Sequence, residues 1–228
     1  MKIRAVTFDV YSALFDTLTG LTHALADLLK RRGSTGDPLA VAQAWRQTQR
    51  EYLLVANSLD REPASNRRAI EASARSTLRG LAPPLTPEEI RVLVGAWEHL
   101  PPWPEVAEVL REVRRRPLLL GTLSNGDGDM LRALLAVLPV AFDHVISTEG
   151  GRFKPHPSVY RKALEILGIQ AGELLHVAGA ASDAMGATAV GIRTVWVNRT
   201  GDAVIDPRFA PAHQVADLRG VIGIIDGT

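Results

Sequence analysis

Cysteine is absent from the 228-residue sequence, and so is any long apolar run. The lack of cysteine excludes disulfide bonds, thiolate-ligated zinc and thiol catalysis. No stretch reaches the length of a transmembrane helix, and the first residues lack the apolar run of a signal peptide, so we expect a cytoplasmic location. The formal net charge is +1, with no basic field or polybasic tail, which argues against nucleic-acid and membrane-surface partners.

What the sequence does contain is enough apolar material for a substantial core. Hydrophobic residues make up 46% of the chain and charged residues 22%, a balance typical of folded proteins. The length suits one large domain, or a core domain that carries an insert. The partner that we expect is a small molecule.

Short apolar runs that alternate with helical patterns indicate an α/β fold. The first run, Ile3–Phe8, is rich in β-branched residues and ends at Asp9. Later strands are predicted at about 118–123, 144–147, 174–177 and 194–197, with helices at about 130–138, 158–167 and 183–190 between and after them. Strands alternating with helices predict a doubly wound, Rossmann-like parallel sheet with helices on both faces.

The stretch from about 15 to 97 differs because it shows no convincing strand. Apolar and aromatic residues recur there at helical spacing, at Val41, Trp45, Thr48, Tyr52, Val55 and Leu59. Pro38 and the segment Thr86-Pro87-Glu88-Glu89 are typical of helix starts. We therefore predict a core domain from residues 1–14 and 98–228, interrupted by a helical cap from 15 to 97.

Polar residues directly after the strands mark a candidate site, because ligands of open parallel sheets bind at the carboxyl ends of the strands. Asp9, the pair Ser124-Asn125, Lys154 and Asp183 all hold such positions. This set suits covalent catalysis by a carboxylate that is oriented and kept ionised by a neighbouring ammonium group. Hydroxyl and amide groups nearby can stabilise an anionic substrate or intermediate.

The sequence resembles the haloacid dehalogenase superfamily over essentially its full length. The resemblance is carried by FDVYSALFD, LSNG and the spaced Lys-Pro. It is strongest to the L-2-haloacid dehalogenases of type II, which share the opening Asp9-Val10-Tyr11, whereas the phosphatases carry a second aspartate in place of Tyr11. The segments AVAQAWRQTQREY, with Trp45-Arg46, and GIRTVWVNRTG also resemble segments of these dehalogenases.

The resemblance implies a two-step, metal-independent hydrolysis of a short 2-haloalkanoic acid, in which a carboxylate displaces halide and water then cleaves the ester. The implied catalytic residues are Asp9 as nucleophile, Lys154 beside it and Asp183 as the acid of the fourth motif. The implied substrate-binding residues are Tyr11, Arg46 for the departing halide, Ser124, Asn125 and Tyr160. No cofactor is expected, and a homodimer, as in related dehalogenases, is a further expectation without a surface assigned to it.

Four positions depart from the patterns of the superfamily and keep two alternatives open. Ala13, Ala178 and Ala180 replace polar residues of the dehalogenases, which raises a degenerate, non-catalytic binding protein as one alternative. The other is a magnesium-dependent phosphatase, whose ligands would be Asp9 and Asp183. Gly179 stands where phosphatases carry an acidic ligand, which argues against it.

Other patterns in the sequence do not support a site. The stretch 125–129 resembles a calcium loop, but Met130 and Ala136 stand where the turn glycine and the bidentate acid belong. No Gly-x-Gly-x-x-Gly follows the first strand, and the six histidines show no metal-ligand spacing. Taken singly, Arg46 could belong to a solvated helix face, Tyr160 to the core and Asp183 to a helix cap.

Overall fold

Six parallel strands form one sheet at the centre of the computed structural model, which describes residues 2–59 and 63–227. The strands are β1 (Ala5–Phe8), β2 (Leu119–Ser124), β3 (His144–Ser147), β4 (Leu174–Ala178), β5 (Arg193–Val197) and β6 (His213–Val215). Their order is β3-β2-β1-β4-β5-β6, and every neighbouring pair runs parallel. The predicted doubly wound α/β class is confirmed.

β1 lies at the centre of this sheet, and its sequence explains why. All four of its residues are buried, as expected for a strand covered on both faces. Ala5 pairs with Leu119 of β2 on one side and with Leu174 of β4 on the other. The chain order reverses around β1, so the residues that follow β1, β2 and β4 reach the same edge of the sheet.

Helices cover both faces of the sheet. They are α5 (Val106–Arg114), α6 (Gly128–Leu135), α7 (Pro157–Leu167), α8 (Ala181–Ala189) and α9 (Arg219–Asp226). The helices predicted after β2, β3 and β4 are present, with ends shifted by at most three residues. α5, α9 and the short edge strand β6 were not predicted from the sequence.

A second group of helices lies between β1 and α5 along the chain. These are α1 (Thr17–Arg31), α2 (Pro38–Leu59), α3 (Asn66–Thr77) and α4 (Pro87–Ala96). α2 begins at the proline noted in the sequence, and α4 begins with a capping box in which Thr86 and Glu89 bond each other's backbone N–H groups. Met1, residues 60–62 and Thr228, which fall inside the predicted domain ranges, lie outside the described residues.

The two segments that join this helical insert to the sheet are bonded to each other. The backbone N–H of Asp16 donates to the carbonyl of Pro101 at 2.8 Å, and that of Trp103 donates to the carbonyl of Leu14 at 3.0 Å. The chain therefore leaves and re-enters the core at one fixed point. None of the helices within residues 2–59 and 63–227 combines the length and apolar character that a membrane crossing requires.

Candidate active site

Asp9 lies at the carboxyl end of β1, and only one of its carboxylate oxygens is engaged. Ser124 Oγ and Lys154 Nζ both donate to Oδ1, each at 2.9 Å. The residue is only 7% exposed. No hydrogen bond from the described residues reaches Oδ2. The carboxylate is therefore held through one oxygen, with the other unengaged.

Lys154 is fixed by all three of its ammonium protons. Nζ donates to Asp9 Oδ1, to the carbonyl of Leu123 at 2.7 Å and to Asp183 Oδ2 at 2.6 Å. Its backbone is held by the Asn125 side chain, which accepts from the Lys154 N–H at 2.7 Å and donates to its carbonyl at 3.3 Å. An ammonium group has three donors, so no rotation remains once these partners are in place.

Asp183 anchors this lysine from the side opposite Asp9. Tyr160 donates its hydroxyl to Asp183 Oδ1 at 2.9 Å, and His176 Nε2 lies 3.1 Å from Oδ2. The other ring nitrogen of His176 lies 2.9 Å from Thr7 Oγ1. With Nε2 donating to the carboxylate, Nδ1 is left to accept the threonine proton, which fixes the tautomer of this fully buried ring.

His176 is a residue that sequence reasoning missed. The six histidines were considered only as metal ligands, and they show no metal-ligand spacing. The available signal was different: a histidine in the apolar run of β4 must find polar partners if it is buried. Thr7 sits directly opposite it in the β1–β4 register.

The two carboxylates compete for one ammonium group, and their pKa values move in opposite directions. Burial raises the pKa of Asp9, and Lys154 only partly offsets that effect. Burial would also raise the pKa of Asp183, but Lys154 and His176 outweigh it and hold that pKa well below its usual range. The pKa of Lys154 is raised despite burial because both carboxylates favour its charged form. Asp183 is thus the firmly ionised partner of the lysine.

α2 brings Arg46 to the same edge of the sheet. Its guanidinium donates to Gln49 Oε1 at 2.6 Å and to Ser12 Oγ at 3.3 Å, and lies 5.2 Å from the ring centre of Trp97. No carboxylate within the described parts of the chain forms an ion pair with it. Desolvation lowers the pKa of Arg46 to about 10, so it remains protonated at neutral pH.

These groups meet around a small cavity of about 70 Å³. The predicted site residues that line it are Asp9, Tyr11, Arg46, Asn125, Lys154 and Asp183. Ser124 and Tyr160 are fully buried behind the wall, where they contact Asp9 and Asp183. Arg46, Arg50 and Ala180 also border a wider groove of about 900 Å³ between the insert and the sheet, which offers a route from solvent.

The alanines that depart from the dehalogenase pattern do not share one environment. Ala13 and Ala178 are fully buried outside the cavity wall, whereas Ala180 lines the cavity. Gly179 has no room for a side chain, since a Cβ there would lie 2.5 Å from the backbone nitrogen of Ala13. In residues 2–59 and 63–227, no three His, Cys, Asp or Glu side chains are grouped so that they could hold a metal ion.

Asp127 joins the helical insert to the core beside this cavity. Its carboxylate accepts hydrogen bonds from the N–H of Asn66 at 2.6 Å, from the N–H of Arg67 at 3.2 Å and from Ser65 Oγ at 3.0 Å. These are donors at the first turn of α3, where a negative charge is favourable. The role of Asp127 as a cap for a helix of the insert was not predicted from the sequence.

Comparison with known proteins gives consistent matches. A model of the haloacid dehalogenase-like hydrolases matches residues 3–191. The (S)-2-haloacid dehalogenase of Pseudomonas sp. strain YL is 32% identical over 227 residues, covering 98% of this chain and 95% of the relative. The (S)-2-haloacid dehalogenase of Xanthobacter autotrophicus is 37% identical over 202 residues, covering 86% and 76%.

A solved structure matches over the whole length. It is the L-2-haloacid dehalogenase from Xanthobacter autotrophicus with chloropropionic acid covalently bound. Its TM-score is 0.85 at 29% identity, and the alignment covers 99% of each chain.

Proposed function

The chain belongs to the haloacid dehalogenase-like hydrolases, and from this membership we propose that it hydrolyses the carbon–halogen bond of short 2-haloalkanoic acids through an ester on Asp9. The observation that carries the proposal is the Asp9 carboxylate, held through Oδ1 by Ser124 and Lys154, with Oδ2 unengaged beside a cavity. The covalent chloropropionate adduct in a relative of the same fold supports the same chemistry.

In the first step, Asp9 Oδ2 attacks the halogen-bearing carbon. A carbon–oxygen bond forms, the carbon–halogen bond breaks, and the halide leaves with the bonding electron pair. Holding nucleophile and substrate together removes much of the entropic cost of this encounter. In the second step, water attacks the ester carbonyl of Asp9 and releases the hydroxy acid. One water is consumed overall, and one halide and one proton are released.

We assign the departing halide to Arg46. Its guanidinium borders the cavity without a carboxylate partner among the described residues, so its charge is available to an anion. Asn125 and Tyr11 line the same space and would contact the substrate.

Ser124 and Tyr160 act through other residues in this proposal. Ser124 orients Asp9, and Tyr160 orients Asp183, because their hydroxyls already donate to those carboxylates. Asp183 has both oxygens engaged, so we give it the role of fixing Lys154. Direct contact of Ser124 and Tyr160 with substrate stays a prediction.

The proposed reaction uses no metal. Lys154 Nζ lies between Asp9 and Asp183, at 2.9 and 2.6 Å, and supplies there the positive charge that a phosphatase takes from magnesium. An acidic ligand cannot replace Gly179 without moving the backbone of Ser12 and Ala13. These two observations disfavour the phosphatase alternative.

We propose the domain division predicted from the sequence, a core of 1–14 and 98–228 and a cap of 15–97. Support comes from the single fixed point at which the insert joins the core and from the position of the cavity between them. Closure of the cap would exclude water from the displacement step. For the predicted homodimer we propose the exposed apolar side chains in the last two turns of α2 as the contact surface, namely Leu54, Val55 and Leu59.

Halide release from chloroacetate, measured without added metal, tests the function. We expect turnover by the natural chain and none by Asp9→Asn beyond what slow deamidation restores. Mass spectrometry of the natural chain during turnover should show the alkyl adduct on Asp9. Absence of halide release from several 2-haloacids contradicts the proposal. Magnesium-dependent cleavage of a generic phosphate ester would then support the phosphatase, and inactivity in both assays the binding protein.

A further inference from the structure

We propose that Asn66 and Tyr11 form a polar subsite that binds an oxygen-bearing substituent on the third carbon of the substrate. The natural substrates would then be 2-haloacids with a hydroxyl or carbonyl oxygen on that carbon, in preference to plain alkyl haloacids. This inference rests on the proposed function and specifies its substrate class. It starts from two buried polar atoms that have no partner.

Those two atoms are the amide nitrogen of Asn66 and the hydroxyl of Tyr11. The residues are only 1% and 3% exposed, and neither polar atom has a hydrogen-bond partner of normal geometry among the described residues, although the Asn66 amide is near enough to the phenol to act on the pKa of Tyr11. Both side chains line the cavity that contains Asp9. A buried polar group without a partner destabilises the fold, and among the described residues these two are the groups of that kind that line the cavity beside Asp9.

The orientation of the Asn66 amide follows from Arg46 through one intervening side chain. Arginine can only donate, so the Gln49 atom that it contacts at 2.6 Å must be the carbonyl oxygen Oε1. Gln49 Nε2 then donates to Asn66 Oδ1 at 2.8 Å. The free end of Asn66 is therefore Nδ2, a donor, and no amide flip can turn it into an acceptor without breaking this chain.

Tyr11 extends the donor character of the subsite. Its phenol ring is edge-on to Trp97, with ring centres 5.6 Å apart, which fixes the position of the ring and of its oxygen. Even if Asn66 Nδ2 donates to the phenol oxygen, the hydroxyl proton remains for a ligand. Burial keeps this hydroxyl protonated by raising its pKa. The subsite thus offers donors and calls for an acceptor.

The small cavity explains why the acceptor would belong to the substrate. At about 70 Å³, it has room for a few heavy atoms beside the reacting carbon. An ethyl side chain placed here would cover both donors and leave them unsatisfied. An oxygen in the same position would satisfy them, and sites built to hydrogen-bond a substrate oxygen discriminate strongly against analogues that lack it.

A pair of substrates of equal size tests the inference. In 2-chloro-3-hydroxypropanoate the third carbon carries a hydroxyl, and in 2-chlorobutanoate it carries a methyl group. We expect the natural chain to favour the hydroxyl compound by at least about tenfold in kcat/KM for halide release. Asn66→Leu, which removes the donor at similar volume, should bring the ratio of the two values to about one or below.

Asn57→Leu is the matched control. Asn57 is another amide between insert and core, bonded to the backbone of Phe153 at 2.8 and 2.9 Å, and it does not line the cavity. This variant should keep the substrate preference of the natural chain. Should Asn66→Leu fail to fold, Tyr11→Phe, which retains the ring, replaces it with the same expected loss of preference.

Three results would overturn the inference. One is a preference of the natural chain for 2-chlorobutanoate, expected if bound water satisfies the donors. Another is an unchanged ratio in the variants, expected if Asn66 binds the carboxylate common to both substrates. In both cases halide is still released, so the proposed function survives. Release from no haloacid at all removes the proposed function and the inference together.

Discussion

At the scale of single residues, Asp9 and Asp183 share the one ammonium group of Lys154. His176 and Tyr160 also stabilise the Asp183 carboxylate, whereas burial leaves the pKa of Asp9 raised. A carboxylate with a raised pKa is a better nucleophile once ionised, since its electron pair is less stabilised by the surroundings. Asp9 is therefore harder to ionise but more reactive once it is ionised.

The raised pKa of Asp9 predicts an acidic limit to activity, a pH below which the rate of halide release falls. Only the ionised form of Asp9 attacks, and burial raises its pKa above the ordinary value of about 4. Halide release should therefore be constant at neutral pH and fall about tenfold per pH unit below the raised pKa. The measurement is kcat/KM against pH, with circular dichroism to show that the chain stays folded.

Lys154→Met should move this limit further toward neutral pH, because the largest influence that lowers the pKa of Asp9 is removed. Ser124→Ala is the comparison, with a smaller displacement, since its single hydrogen bond is the weakest of the influences on Asp9. Activity that stays constant down to pH 4 would contradict the raised pKa.

The sequence predicts the site residues that lie at strand ends better than those whose role depends on neighbours distant in the chain. Asp9, Asn125, Lys154 and Asp183 could be found because a parallel sheet brings the ends of its strands together. His176 was missed although its place in an apolar run was a signal, and Asn66 could not be found. Asn66 is one polar residue among many in the insert, and its importance comes from Gln49 and Tyr11, which are distant in sequence.

At the scale of elements, the insert is positioned by α3. Asp127, from the loop after β2, caps the first turn of α3, so a core residue completes a helix of the insert. Asn66 is the first residue of that helix, and through Gln49 it is bonded to Arg46 on α2. A shift of α3 would therefore move the groups that face the substrate.

Asp127→Ala should lower both stability and substrate affinity. Loss of a charged cap with three hydrogen bonds should cost about 1–3 kcal/mol in the free energy of unfolding, measured by urea denaturation. KM for chloroacetate should rise severalfold because Asn66 and Arg46 lose their fixed position.

Thr86→Ala provides the matched control. It breaks the capping box of α4, which lies within the insert and does not touch the cavity. It should cost about 1 kcal/mol of stability and leave KM unchanged. Equal KM values in the two variants would show that the cap on α3 has no influence on the site.

The elements differ in how well the sequence reveals them. α2 and α4 carry strong signals, a proline at the start of one and a capping box at the start of the other. β6 has only three residues, two of them exposed, so its local sequence pattern is weak. Its strand structure comes from its pairing with β5. α5 and α9 have clear apolar faces, although neither helix was predicted from the sequence.

At the scale of the whole molecule, one hydrophobic cluster extends through both the insert and the sheet region. It includes Leu21, Leu25, Trp45 and Ile70 from the insert, together with Val6, Val109 and Leu131 from the core. Separately folding domains each have a core of their own. Tyr11, Trp97 and Trp45 add a continuous chain of edge-on rings between the two parts. The insert therefore depends on the core for its own burial.

We accordingly predict that the chain unfolds in a single cooperative transition, although the proposed cap is large. In calorimetry, the measured enthalpy should equal the van't Hoff enthalpy, and far- and near-ultraviolet circular dichroism should give the same midpoint. Near-ultraviolet signals report on all four tryptophans, of which Trp45 and Trp97 are fully buried at the join of insert and core. Measurements at two protein concentrations separate any effect of self-association. Earlier loss of the near-ultraviolet signal, or two resolved heat absorptions, would contradict this prediction. The insert would then unfold separately from the core, and the shared cluster would not limit its motion.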